Sequence, residues 1–555
     1  MSTRRHRAHR PTPPPHRAAR GPSRLSRRAF LHLSGLGILG TLTATALRGA
    51  PVSLARPRTR PAFVPDVEIA LEAVEDQAAI LPGAPTPVWR YRATLVAGPD
   101  DTLQPLPDSY LGPILNLRTG QNIRITFTNR LPGTEKSIVH WHGLHVPEAA
   151  DGHPRYAISP GESYTYEFTV RDRAGTYWYH PHPHGRTGPQ VYRGLAGLIH
   201  ISDPSQATEQ GLPTGPYDLP LVIQDRRFDA QNRLLYGVDM AGFLGDRILV
   251  NGRPDATRTV ERRPYRLRLL NGSNARIYKL AWSDNTPLTV IATDGGLLEQ
   301  PVQRNYVTLG PAERVELLVD FSQWPADSTV TLRSLAFSVT GGGNSELPNG
   351  AEFSVMDFQI QEASPATPTP EPTPTPFATA PAPPGHRIFL PRVSKDVPPG
   401  EAAQVQVDRS FALYLQAGQW TINGRTFEMT GVAQDEIVEL GTTEVWEFVN
   451  QRPGGGGMPG MAGQPHPMHI HGLQFRVLSR QAPTDATQRA NWETVKDGYV
   501  DQGWKDTVLL MPGERVRVQV QFQDYTGLFL YHCHNLEHED MGMMRNYRVV
   551  DPAAR

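Results

Sequence analysis

Four His-x-His pairs recur along the chain: His140-Trp141-His142, His180-Pro181-His182, His469-Ile470-His471 and His532-Cys533-His534. In an extended strand residues i and i+2 face the same way, so each pair aims two imidazoles in one direction. One such pair is a weak signal, more often a surface or core accident than a metal site. Four pairs supply eight imidazoles, which a structural accident explains poorly. The last pair carries a second kind of site. Cys533 is the single cysteine of 555 residues, and with His466, His538 and Met543 it completes a set of one thiolate, two imidazoles and one thioether. That donor set specifies a blue-copper electron-transfer centre with a long axial Met. Cys533 points to the opposite strand face from His532 and His534, so the thiolate can serve one centre while its neighbours serve another. Zinc also takes Cys and His ligands. It accounts poorly for a Met five positions after His538 and not at all for eight histidines in paired display.

The elements that must position these pairs read as strands. Short runs rich in Val, Ile, Thr, Tyr and Phe, broken by Gly, Pro and Asn turns, fill the body of the chain, and no long stretch has helical periodicity. Internal repetition sharpens this. Gly120, Phe127 and Asn129 reappear at identical spacing as Gly441, Phe448 and Asn450. Pro160-Gly161-Glu162 matches Pro512-Gly513-Glu514, with Pro311-Ala312-Glu313-Arg314 as a middle cousin. The pairs at His180 and His532 each lie twenty positions after their own Pro-Gly-Glu, whereas no histidine falls between His200 and His386. Three related β-domains are implied, the first and last sharing a site and the middle one spacing them. The stretch Pro365 to Gly385, dense in Pro and Thr, reads as an extended spacer.

Length suggests two to four domains. Formal net charge is zero, but residues 1–60 hold thirteen Arg and no acid, leaving 42 basic against 55 acidic residues in 61–555. An acidic body excludes nucleic acid as a partner and accommodates a neutral or cationic reductant. One cysteine excludes an intramolecular disulfide framework. Residues 1–55 read as a removed export signal: Ser26-Arg27-Arg28-Ala29-Phe30-Leu31 resembles the twin-arginine pattern read by the Tat machinery, followed by a weakly polar stretch to Leu47. The alternative, a membrane anchor, fits less well because the stretch is rich in Gly and Thr. A periplasmic or extracellular location without stable membrane insertion is therefore expected.

At its histidine motifs the chain resembles the multicopper oxidases, over nearly everything from Asp66 to Val550. The resemblance implies an all-β fold of three cupredoxin-like Greek-key β-sandwich domains, placed here at 66–203, 204–361 and 387–555 with a linker at 362–386. It implies four copper ions. His466, Cys533, His538 and Met543 would form the type 1 site and His140 and His469 the type 2 site. His142, His180, His182, His471, His532 and His534 would bind the type 3 pair. Asp151, nine positions after His142, and Glu539, directly after His538, match acids that relatives use to deliver protons; each can instead be an ordinary solvated carboxylate. His184 reads as a supporting or exposed residue, and His145, His153, His200 and His386 as structural or surface ones.

The implied activity is laccase-like: dioxygen is reduced to water with electrons taken singly from a phenol or aromatic amine. Oxidation of Cu(I) is the alternative, since the loop Gly454 to Gly463 carries Met458 and Met461 near His466. Against it, Ala462, Gly463, Gln464 and Pro465 stand where copper-efflux relatives have an acid and a Met. A non-catalytic structural relative is a third reading, opposed by the complete ligand set. Three domains in one chain suffice for the site and favour a monomer.

Overall fold

Strand Asn122–Arg130 buries Ile123, Ile125, Phe127 and Asn129 and leaves the residues between them partly or fully exposed, the period-2 pattern that seats one strand face on a core. Strand Arg515–Gln521 repeats it with Val516, Val518 and Val520. The computed structural model describes residues 63–106, 109–339, 345–363, 406–451 and 463–554. The expected leader, the Pro/Thr-rich stretch Pro365 to Gly385, His386, Met458 and Met461 lie outside the described residues.

Among the described residues the strands form three pairs of sheets. The first pair sets Thr86–Ala97, Val67–Ala78, Asn122–Arg130 and Ser163–Thr169 against Leu103–Gln104, Ile114–Arg118, Gly197–Ser202, Gly175–Pro181 and Val139–His142. A core of Ile69, Phe127, Trp141, Tyr177 and Ile199 fills the space between them. The middle pair has a seven-stranded and a five-stranded sheet around Leu267, Trp282, Leu317 and Phe358. The last pair sets Gln419–Ile422, Arg409–Gln416, Thr443–Val449, Arg515–Gln521 and Phe475–Gln481 against Ile437–Glu439, Met544–Val550, Gly527–Cys533, His466–Ile470 and Thr507–Leu510. Every sandwich contains the same parallel pairing: Val67–Ala78 with Asn122–Arg130, Asp218–Arg226 with Pro264–Asn271, and Arg409–Gln416 with Thr443–Val449.

The repeated residues have repeated tasks. Asn129, Asn271 and Asn450 end equivalent strands, and each Nδ2 donates to two backbone carbonyls across the following loop. Glu162, Glu313 and Glu514 each accept the backbone N–H three residues earlier, at 2.7, 2.7 and 2.8 Å, closing the turn before the next strand. That turn needs a left-handed residue before the Glu. Gly161 and Gly513 supply it with φ of 88° and 76°, and in the middle copy Ala312 is held there at 71°.

Arg314, fully buried, joins the three sandwiches. Its Nε donates to the Thr176 carbonyl of the first, Nη2 to the Asp294 carbonyl of the middle, and Nη1 and Nη2 to the Asp506 carboxylate of the last. No described helix is long and apolar enough to cross a membrane.

Candidate metal centres

Strand pairing places the histidines before any metal does. His140 lies opposite His180 in the first sandwich, and His469 opposite His532 in the last. The two sandwiches then stack their pairs crosswise. The ring of His140 lies on His471 and that of His142 on His469, with centroids 3.7 Å apart in both cases. All eight rings of the four pairs are buried.

Six of the eight have an outer nitrogen anchored, while His182 Nδ1 has no partner among the described residues. His140 Nδ1–H donates to the Asp151 carbonyl at 2.6 Å, His469 Nδ1–H to the Asp506 carbonyl at 2.7 Å, His180 Nδ1–H to the Pro181 carbonyl and His532 Nδ1–H to the Cys533 carbonyl. Carboxylates hold two more: His471 Nδ1–H donates to Asp151 Oδ2 at 2.9 Å, and His142 Nε2–H to Asp506 Oδ1 at 3.0 Å. Such bonds fix tautomer and ring orientation, so the opposite nitrogens are bare lone pairs. These lone pairs face one another. His140 Nε2 lies 3.3 Å from His469 Nε2, His142 Nδ1 3.3 Å from His180 Nε2, and His532 Nε2 3.0 and 3.3 Å from those of His471 and His182. Both ring nitrogens of His534 lack a partner among the described residues although the ring is buried. Buried acceptors turned on each other are stable only with a cation between them. The residues therefore fit several copper ions.

The second centre sits on the other face of the same strand. Cys533 Sγ lies 3.4 Å from His466 Nδ1 and 3.7 Å from His538 Nδ1, and those nitrogens are 3.1 Å apart. Met543 is fully buried in the same core cluster as Cys533, and its carbonyl accepts the Cys533 N–H at 3.0 Å. His538 stands on a one-turn helix, Leu536–Asp540, begun by Asn535. The structure thus brings every motif histidine into one of two clusters. His184 is exposed, and His153 is buried on Asn546 through Nε2 at 2.9 Å.

Asp151 is fully buried; its neighbour Gly152 has φ of 83°, and a Cβ there would collide with the Val139 carbonyl. Burial pushes the Asp151 carboxyl well above its usual range. Glu539, also buried, has its two oxygens 3.2 Å from His532 Nδ1 and 3.6 Å from His182 Nε2.

Asp506 carries no sequence signal, yet its carbonyl and carboxylate hold two opposing imidazoles. Burial would raise its pKa, but Arg314 brings the carboxyl below the ordinary range. Its carboxylate is engaged by Arg314, Thr507 and His142, which makes it an anchor of ligands and not a ligand. Asp506→Ala should cost roughly 3 kcal/mol by leaving the buried Arg314 charge only the more distant Asp294 carboxylate, 3.8 Å away, and weaken copper binding roughly 10- to 100-fold. Asp506→Asn should recover part of the binding loss. Urea unfolding of the metal-free protein and copper titration measure the two effects separately, and a variant with wild-type values in both would refute the anchoring role.

Burial lowers the imidazoles, His466 and His469 to about 3 and His180 and His153 to about 4. In the unfolded chain such rings take up protons near pH 6.5. The unfolded state therefore binds more protons across that window, and stability falls as pH drops below about 6.5. The thermal midpoint of the metal-free protein should decline steadily from about pH 7 to about pH 5; a flat profile would contradict buried, neutral imidazoles.

A fold of three cupredoxin-like sandwiches that turns paired imidazoles inward and sets a Cys–His–His site beside them defines a copper-binding protein. Multicopper oxidase family models match residues 91–206 and 396–553. A multicopper oxidase of Staphylococcus aureus is 32% identical over 79% of this chain and 82% of its own length. A laccase of Haloferax volcanii is 32% identical over 95% of this chain and 92% of its own. The crystal structure of a multicopper oxidase from Aquifex aeolicus superposes with a TM-score of 0.67 at 35% identity, covering 88% of this chain and 97% of the other. The chain belongs to the multicopper oxidase family.

Proposed function

We propose that the protein is a laccase-type oxidase that takes electrons one at a time from phenols or aromatic amines and reduces dioxygen to water. The observation that carries this reading is the placement of Cys533. Its sulfur belongs to the His466 and His538 cluster, while His532 and His534 on either side belong to the eight-imidazole cluster, so one peptide unit separates electron entry from oxygen reduction.

His466, Cys533, His538 and Met543 would hold one copper ion as a type 1 site, and His140 and His469 a second as type 2. His142, His180 and His534, facing His182, His471 and His532, would hold the type 3 pair. Bound there, copper supplies one-electron redox chemistry and a site for dioxygen. The chain supplies the rest. Burial of His466, His538 and Cys533 excludes water from the entry site. Burial raises the Asp151 carboxyl well above its usual range, and nothing among the described residues hydrogen-bonds its Oδ1, 3.6 Å from His140 Nδ1. Asp151 is thus placed to deliver protons for oxygen reduction, and Glu539, against His182 and His532, to serve as the second station of the relay. The twin-arginine leader supports action outside the cytoplasm.

Oxygen uptake by the copper-loaded protein with a phenol, an aromatic amine, Cu(I) and Fe(II), compared side by side, tests the reading. Uptake with the organic reductants is expected. Uptake with Cu(I) alone would make the protein a cuprous oxidase, and uptake with none of them a non-catalytic relative.

A further inference from the structure

The His538 edge through which a reductant would reach the entry site is covered. His538 Nε2–H donates to the Met240 carbonyl at 3.0 Å, and Trp420 Nε1–H donates to the same oxygen at 2.9 Å. The Trp420 ring packs on His538 with centroids 4.2 Å apart and on His466 at 5.0 Å. His466, His538 and Trp420 are each no more than 2% exposed. The cover is a turn of the middle sandwich, residues 239–242, closed by the Gly242 N–H on the Asp239 carbonyl and the Ala241 N–H on Asp239 Oδ1. It is pinned from the last sandwich, where Asn535 Nδ2 donates to the Ala241 carbonyl and Glu537 Oε2 accepts the Phe243 N–H at 3.0 Å. Gly242, at φ 98°, lets it lie this close, because a Cβ would run into Ala275 and Asn535. Met240 itself is half-exposed.

We propose that this turn, and not the His538 imidazole, is the surface at which reductants deliver electrons, with the Met240 peptide as a one-hydrogen-bond bridge to His538. The proposal rests on His538 being a ligand of the electron-accepting site. Its consequence is a substrate class. The Nε2–H that would hold a phenolate oxygen is already donated, so the port cannot recognise a hydroxyl group there. Reductants of low potential are then oxidised across the turn, whether phenol, aromatic amine or metal complex, and rate follows driving force instead of shape. In each event the reductant loses one electron to the ion held by Cys533 and His538. A phenol also loses its hydroxyl proton, which goes to solvent because His538 is already protonated at Nε2.

The test compares anaerobic bleaching of the blue band by a series of substituted phenols and by a ferrocene derivative, alongside the reduction potential of the site. In the copper-loaded wild type, phenol rates should follow phenol potential irrespective of ortho substituents. Gly242→Val should push the turn outward and free Nε2–H, raising the phenol-to-ferrocene rate ratio about fivefold, the worth of one hydrogen bond. The potential should rise, because an imidazole that no longer donates to a carbonyl is a weaker donor to the metal. Trp420→Phe, which removes the competing donor on the Met240 carbonyl, keeps a ring against His538 and so tightens the His538 Nε2–H bond, should move both quantities in the opposite direction and serves if Gly242→Val fails to fold. A ratio and potential unmoved in the folded variants would overturn the port. A copper-loaded wild type with no blue band would instead overturn the reading of the entry site.

Discussion

Cys533→Ser is expected to give a colourless protein that binds about one copper ion fewer and oxidises no reductant above background. The blue colour requires thiolate-to-copper charge transfer, and a serine hydroxyl stays protonated and binds copper poorly. His466 and His538 remain, 3.1 Å apart at Nδ1, but two neutral imidazoles and a thioether lose the anionic donor that made the site. The paired histidines should be spared. His532 and His534 flank the substitution but point to the opposite strand face, and their partners His142, His182 and His471 come from elsewhere. Copper analysis with visible and paramagnetic resonance spectra separates the two effects. A blue serine variant, or one that has lost all its copper, would sink the division of labour between the faces of Gly527–Cys533.

This division is legible in the sequence because it depends only on the alternation of side chains along one strand. The same holds for the recurring Asn and Glu of the turns, whose spacing reflects one sandwich used three times. What the sequence does not show is supplied by tertiary closure. Asp506 sits in Lys505-Asp506-Thr507, which has neither motif nor period, and its meaning appears only when Arg314 arrives from the middle sandwich. In the sequence Arg314 is merely the end of a repeat. Met240 acts through a backbone carbonyl, which no residue type can announce. The short helices Thr187–Tyr192 and Leu536–Asp540, which pack together beside the clusters, are too brief to show a helical period. The spacing around His538 names it as a ligand but says nothing of its cover.

The largest effect expected outside the copper ligands is at Asp151, where Asp151→Asn should slow oxygen turnover about 100-fold while leaving reduction of the blue site by substrate near its normal rate. The amide introduced there keeps an oxygen to accept the His471 Nδ1–H, and the backbone carbonyl that takes the His140 Nδ1–H is untouched, so both rings stay oriented. What disappears is the titratable proton. In the wild type burial holds that proton well past the ordinary carboxylate range, so turnover should persist until pH passes the raised pKa. The variant depends on protons from solvent alone, and its defect should widen as pH rises, with every reductant alike. Asp151→Ala should do worse, because it also frees the His471 ring and weakens copper binding. Stopped-flow spectroscopy distinguishes the halves of the cycle: anaerobic bleaching reports electron entry, and return of the colour on mixing with dioxygen reports oxygen reduction. Slow bleaching with normal return in Asp151→Asn would remove Asp151 from proton delivery and assign it to the path by which electrons arrive.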